Sequence, residues 1–329
     1  MTTPRLKAAV AALPSCSPGV VPVPPQGRMI IPDYYLEGSH GPVNPAHATA
    51  EAPYVAMWKA VARAATRYVA TGDSAEAVCL LSILGAWADA GALLNYTHEE
   101  SRQAWFTVQW ATAAAALALS VARGAPEVDP AQLDTVTAWL VKVAGHQLSQ
   151  LPPNPGPGVT SARNNHAHWR GLMAAAVGVV ADKDELFRRG LKAFVEAVAN
   201  LDENGAWPLE MERHERALHY QSFALQPLIL IAELAKRQQI DLYAVEPHGR
   251  SIHDAVHFLL RAIDDPTLTT HYTPEPQDRD SLKPGSAGHA WAEFYDRRFP
   301  GKGAAVLLTA PLFNSWLGGG ATVYAAPAH

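Results

Sequence analysis

Tyr54-Val-Ala-Met-Trp-Lys-Ala-Val-Ala-Arg-Ala-Ala-Thr-Arg-Tyr-Val-Ala70, then Thr71-Gly72-Asp73-Ser74, then Ala75–Leu94 is the stretch that decides the fold. The first run places apolar residues at helical spacing, with Pro53 suited to a first turn. Gly72 stops it, and Asp73 or Ser74 can cap the second run. The connection is short, so the two helices form an antiparallel hairpin. Working outward, the same grammar repeats. Helices are expected at 98–122, 130–149, 165–180, 185–199, 215–236, 251–262 and 290–297. Pro227 predicts a kink in the fifth of these, 215–236. Strand signal is nearly absent, so the chain reads as all-α. Successive hairpins make a solenoid, a bundle or a closed toroid, and no fixed-period repeat motif distinguishes them. A toroid gathers loops at one end into a cleft, which suits a long polymer.

Before the hairpin lies a Pro-rich stretch, 1–53, with Pro22, Pro24, Pro25, Pro32, Pro42 and Pro45. Proline at that density argues against regular helix and for an extended arm, with a short strand at 29–32. Val20, Val21, Ile30 and Ile31 need apolar cover, so the arm should lie over the helical body. The full 1–329 then reads as one domain. Two loops break the helical pattern: 151–158, dense in Pro and Gly, and 264–288, long and polar enough for a functional role.

The chain of 329 residues is 48% hydrophobic and carries a net charge of -5 with pI near 6.3. That balance gives no basic signature for nucleic acid, so an anionic partner needs a local cationic cluster. No stretch reads as a membrane span. The apolar run within the first 13 residues is short for a signal peptide. Cys16 and Cys79 are either two separate thiols or one bridge tying the arm to the body. Phosphate loops, G-x-S-x-G elbows and dinucleotide fingerprints are missing from the sequence, which removes nucleotide-dependent and serine-hydrolase chemistry. His253 and His257 share a helix face at i, i+4, but no adjacent Glu or Cys cluster completes a metal site. No metal or cofactor is expected.

Chemistry concentrates in two stretches, Arg163-Asn164-Asn165-His166-Ala167-His168-Trp169 and Arg213-His214-Glu215-Arg216-Ala217-Leu218-His219-Tyr220. One Asn before an apolar helix suffices as a cap. The second is free to aim its amide elsewhere, beside an imidazole. Arg213, Arg216 and Tyr220, spaced i, i+3 and i+7, would share one face of a helix. Glu210, Glu212 and Glu215 could pair with these Arg on a solvated face, or orient them for an external carboxylate. Trp105, Trp110, Trp207, Trp291 and Trp316 could stack on sugars or serve the core.

These residues resemble family 5 of the polysaccharide lyases, the alginate lyase family, over about 34–319. The resemblance rests on Asn164-Asn165-His166-x-x-Trp169, Asp202-Glu203-x-Gly205-x-x-Pro208-x-Glu210 and Arg213-x-x-Arg216-Ala217-Leu218-x-Tyr220. Shorter pieces are Tyr35-Leu36-Glu37-Gly38-Ser39, Ala86-Trp87-Ala88-x-Ala90-Gly91-Ala92-Leu93 and Phe313-Asn314-Ser315. It implies an incomplete (α/α) toroid, a periplasmic or secreted location and a Cys16–Cys79 disulfide. It also implies β-elimination in an anionic polyuronate. In that reaction the C6 carboxylate must be neutralised before the C5 proton can leave. By resemblance Asn165 and Arg213 neutralise it, with Arg216 near. Either His166 abstracts the proton and Tyr220 protonates O4, or Tyr220 does both. Tyr35, Asn164, His168, Trp169, Arg216 and His219 would contact substrate.

Three departures from the family pattern stand out: Ala167-His168 where Ser-Tyr is frequent, His219 at a position that is often small, and Tyr35 where lysine is common. They predict altered preference among polymannuronate, polyglucuronate and hyaluronan-like chains. The added imidazoles further predict a preference that shifts between about pH 5 and 8. A glycoside hydrolase would instead need two placed carboxylates, and a binding protein would need no paired base and acid.

Overall fold

The computed structural model describes all residues except 1–3, 18–20, 38–39, 152–154, 157 and 327–329. Gly38 and Ser39 of the N-terminal motif, and half of the Pro-rich loop at 151–158, therefore fall outside the described residues. The chain is all-α. Twelve helices are described: α1 (Pro4–Ala11), α2 (Pro45–Thr71), α3 (Ser74–Asp89), α4 (Arg102–Ala122), α5 (Pro130–Ser149), α6 (Asn165–Ala181), α7 (Asp184–Ala199), α8 (Pro208–Met211), α9 (Ala217–Arg237), α10 (Ile252–Asp264), α11 (Trp291–Arg298) and α12 (Ala321–Tyr324). Two small antiparallel pairs accompany them, β1 (Tyr35–Glu37) with β2 (His40–Val43), and β3 (Phe313–Asn314) with β4 (Gly319–Gly320).

The deciding turn closes as read. Gly72 takes the left-handed conformation, φ 73°, at the end of α2, and the Asp73 side chain accepts from Ala75 N at the start of α3. Helices α2, α4, α6 and α9 pack in succession as the inner layer. Each inner helix contacts the helix that follows it on the outside: α3, α5, α7 and α10. The C-terminal segment returns to α2 and α4 through the turn at Ser315–Leu317 and β4. The result is an incomplete α/α toroid around one continuous apolar core that runs from Met29 to Ala325.

The arm differs from expectation. Residues 4–11 form α1, and 45–53 belong to α2, which runs through Pro53. Asn44 caps α2 and Pro45 opens it. Buried His47 and Tyr54 flank Pro53 on either side, so packing outweighs the roughly 3 kcal/mol that an interior proline costs. No strand forms at 29–32. The hydrogen bonds there go singly, Met29 N to Asn95 O and Ile31 N to Ser101 Oγ, rather than into a ladder. Met29 and Ile31 are buried over the body while Ile30 is exposed. Val20 lies outside the described residues. Helix α9 likewise continues through Pro227. By length and composition α4 is apolar enough to cross a membrane, a property the sequence reading passed over. Here it is an inner helix buried in the core.

Candidate active site

Asn164 and Asn165 divide the work at the start of α6. Asn164 Oδ1 accepts from His166 N at 3.1 Å, which is the capping bond. Asn165 is fully buried, and its amide is held by Glu210: Asn165 N donates to Oε1 at 2.6 Å and Nδ2 donates to Oε2 at 2.8 Å. Glu210 thus orients Asn165, not an Arg as the sequence allowed. Burial raises its carboxyl pKa, opposed by the nearby Arg213 charge and the two Asn165 bonds. Its position at the helix N-terminus suits a carboxylate. Asn165 Oδ1 has no partner among the described residues.

His166 comes next on α6. Its ring stacks on Phe106 at 3.5 Å and 10°, and Nδ1 lies 3.2 Å from Gln109 Nε2. Burial and the charges of Arg213, Arg170 and Arg102 hold its pKa well below the ordinary value, so the imidazole is neutral at pH 7. Phe106, Gln109 and Trp110 sit at i, i+3 and i+4 on α4 and make the wall behind it. Sequence reasoning missed Phe106 and Gln109 because an aromatic–amide trio inside an apolar helix reads as core.

Arg213, Arg216 and Tyr220 do meet, but not on one helix. Arg213 precedes a 3₁₀ turn at His214–Arg216, where His214 has φ 53°, and Tyr220 lies in the first turn of α9. The fixed i, i+3, i+7 face is therefore broken. The polar segment at 264–288 props this turn. Asp278 N donates to Glu215 O, Leu218 N donates to Gln277 Oε1, and Gln277 Nε2 donates to His214 O. In the result Arg213 lies over the Tyr220 ring, 4.6 Å from guanidinium carbon to centroid. Tyr35 Oη receives Arg216 Nη1 at 2.8 Å and lies 2.9 Å from Tyr220 Oη. Since Tyr35 accepts from Arg216, its own proton is free for Tyr220 Oη, and the Tyr220 proton is free for a substrate atom. Burial raises the pKa of Tyr220, and Tyr35 adds to the rise while Arg213 opposes it.

Other expected contacts move away from the cleft. Trp169 is fully buried and packs on Phe223 and Trp316, so it serves the core. His168 is buried against Trp207, at 5.4 Å. Burial lowers its pKa to about 3, and that of half-buried His219 to about 4. Neither of these two added imidazoles has its pKa between 5 and 8, so the pH-dependent preference expected from them loses its basis. Trp105, Trp207 and Trp291 are core residues, whereas half-buried Trp110 and Trp316 stack on one another at 5.5 Å. Trp110 lies 6.0 Å from His166. No group of three or more His, Cys, Asp or Glu among the described residues could hold a metal. Cys16 and Cys79 form a disulfide.

A neutral imidazole, an anchored amide, a guanidinium and a hydrogen-bonded phenol thus converge from α6, the 213–216 turn, α9 and β1. The family model described as alginate lyase matches residues 15–268. The chain belongs to the alginate lyase family. A polysaccharide lyase of Stenotrophomonas maltophilia is 34% identical over 334 residues, covering 98% of this chain and 94% of that protein. The crystal structure of alginate lyase A1-III from Sphingomonas species A1 superimposes with TM-score 0.91 at 44% identity, covering 100% of this chain and 92% of that one. A Tyr→Phe variant of alginate lyase A1-III, complexed with a tetrasaccharide, superimposes with TM-score 0.93 at 43% identity over 100% and 92% of the two chains. Like other alginate lyase family members, the chain is a polysaccharide lyase that binds a polysaccharide and breaks a carbon–oxygen bond.

Proposed function

We propose that this enzyme cleaves (1,4)-linked polyuronates, polymannuronate in alginate foremost, by β-elimination to 4,5-unsaturated products. The observation that carries the reading is the Arg216–Tyr35–Tyr220 chain ending beside Arg213 and the Asn165–His166 pair. Asn165, His166 and Arg213 neutralise the C6 carboxylate, which makes an enolate-like transition state reachable. As the phenolate, Tyr220 takes the C5 proton, becomes the phenol, and delivers that proton to O4 as the C4–O4 bond breaks and the C4–C5 double bond forms. Tyr35 and Arg216 steady the phenol oxygen throughout. The known alginate lyases among its relatives, and the tetrasaccharide bound by alginate lyase A1-III variants, support this substrate class.

A second assignment of the base has its own support. His166 is held neutral, so it can accept the C5 proton while Tyr220 serves as the acid alone. The departures at Ala167, His168, His219 and Tyr35 motivate testing polyglucuronate and hyaluronan beside polymannuronate. Buried His168 can reshape the cleft only through its packing. The disulfide supports a periplasmic or secreted enzyme, and the continuous core supports 1–329 acting as one catalytic domain.

The test is absorbance from the unsaturated product on each polymer. Tyr220→Phe is expected to cut turnover by about 10²–10⁴-fold, the usual worth of a positioned proton donor or acceptor, with saturable binding retained. Full turnover by Tyr220→Phe, or products without the chromophore, would overturn the reading, the latter in favour of hydrolysis.

A further inference from the structure

We propose that Gln109 is a positioning residue for the elimination. It fixes the tautomer of His166, so that the imidazole presents an N–H rather than a lone pair to the substrate carboxylate. This rests on the reading above, in which His166 neutralises and Tyr220 moves the proton.

The argument begins with what a neutral imidazole can do. One ring nitrogen donates and the other accepts, and the partner of one decides the role of the other. The plane of His166 is set by its stack on Phe106, so its two nitrogens cannot readily exchange places. Nδ1 faces Gln109 Nε2 at 3.2 Å. An amide nitrogen carries only hydrogens to give, so Nδ1 must hold the lone pair and Nε2 the proton. Nε2 has no partner among the described residues, which leaves its N–H for the cleft. Gln109 is fully buried, and its Oε1 has no partner among the described residues either. The contact from Nε2 to Nδ1 is thus the one bond that the described residues give this amide, and the orientation that makes it is the one that leaves the imidazole Nε2–H for the cleft. A reversed amide would accept from Nδ1–H and turn Nε2 into a base. The buried Gln109–His166 contact is thus where the division of labour between His166 and Tyr220 is made, one residue behind the substrate.

Two substitutions separate the alternatives. Gln109→Glu offers only an acceptor and forces the Nδ1–H tautomer. Gln109→Met has nearly the same shape and removes the preference. The tautomer is read directly from the ¹⁵N shifts and long-range ¹H–¹⁵N couplings of His166 in the substrate-free, full-length protein. Wild type is expected as Nε2–H, the Glu variant as Nδ1–H, and the Met variant as a mixture. On polymannuronate, kcat of the Glu variant should fall on the order of a hundredfold, as for loss of one preorganised donor, with KM within about threefold. The Met variant should fall between. Wild type in the Nδ1–H form would overturn the proposal, and so would an inverted tautomer with undiminished kcat. Should the Glu variant not fold, the wild-type spectrum and the Met variant decide. The spectrum needs no turnover, so failure of the elimination reading, seen as activity surviving Tyr220→Phe, is distinguishable from failure of this inference.

Discussion

Tyr220 and His166 make opposite demands on pH, and that separates their roles. Burial raises the Tyr220 pKa, so its phenolate fraction grows tenfold per pH unit throughout the neutral range. If Tyr220 is the base, kcat/KM rises with that slope between about pH 6 and 9. His166 has a pKa well below its ordinary value and is already neutral throughout the neutral range. If it is the base, the same profile is flat there, and measuring kcat/KM across this interval decides. His168 gives a stability prediction. Its folded pKa of about 3 lies below the unfolded value near 6.5, so the unfolded state binds the extra proton. The contribution is complete above about pH 6.5 and is lost as pH falls toward 3, by as much as about 4 kcal/mol at 1.36 kcal/mol per pH unit. Denaturant midpoints at pH 7 and pH 4 should differ accordingly, and His168→Phe should flatten that difference. At this scale the sequence exposed Asn165, His166, Arg213 and Tyr220 as a set. It did not expose Gln109 or Phe106, nor the burial that takes Trp169 and His168 out of the cleft, because residue type alone does not report which face of a helix meets a neighbour.

Helices α6 and α7 show what element packing requires. A Cβ on Gly190 would lie 2.5 Å from Ala175 Cβ and 2.8 Å from Gly171 O. The two helices touch almost backbone to backbone, which holds α6, and with it Asn165 and His166, in a fixed place. Gly190→Ala is expected to destabilise by about 1–3 kcal/mol through overpacking, visible as a lowered Tm. If the variant matched wild type in Tm, the close contact would not be a constraint. The boundaries of α5 at 130–149 follow from the Asp129 cap and periodicity and were readable, whereas α7 was readable from periodicity to within one residue, since Lys183 before it supplies no side-chain cap. The start of α2 was not, because Pro53 reads as a boundary until buried partners on both sides of it are known. The 213–220 face was misread for a related reason. Its 3₁₀ turn depends on Gln277 and Asp278, some sixty residues downstream.

For the whole molecule, the Cys16–Cys79 disulfide closes a sequence separation of 63 residues. It fastens the N-terminal segment to α3, where Cys16 N also donates to Glu76 Oε2. Chain-entropy reasoning for a loop of that length gives about 4 kcal/mol of stabilisation. Cys16→Ser/Cys79→Ser is expected to lower stability in proportion, with activity at 25 °C retained, since neither Cys touches the site. A double variant as stable as wild type would show that the bridge only decorates the fold. The net charge of -5 makes the cationic site local: Arg213 and Arg216 sit where the 264–288 segment braces their turn.

By itself the sequence determined that the chain is a series of antiparallel helical hairpins, since caps, glycines and 3.6-residue periodicity act within a dozen residues. Through its motifs it also determined which chemical groups are available. Only the tertiary structure decided which of those groups face the cleft, that Glu210 serves Asn165, and that Tyr35 reaches Tyr220 from 185 residues away. Burial, pKa and hydrogen-bond partnership are properties of neighbours in space, and no local pattern in the chain encodes them.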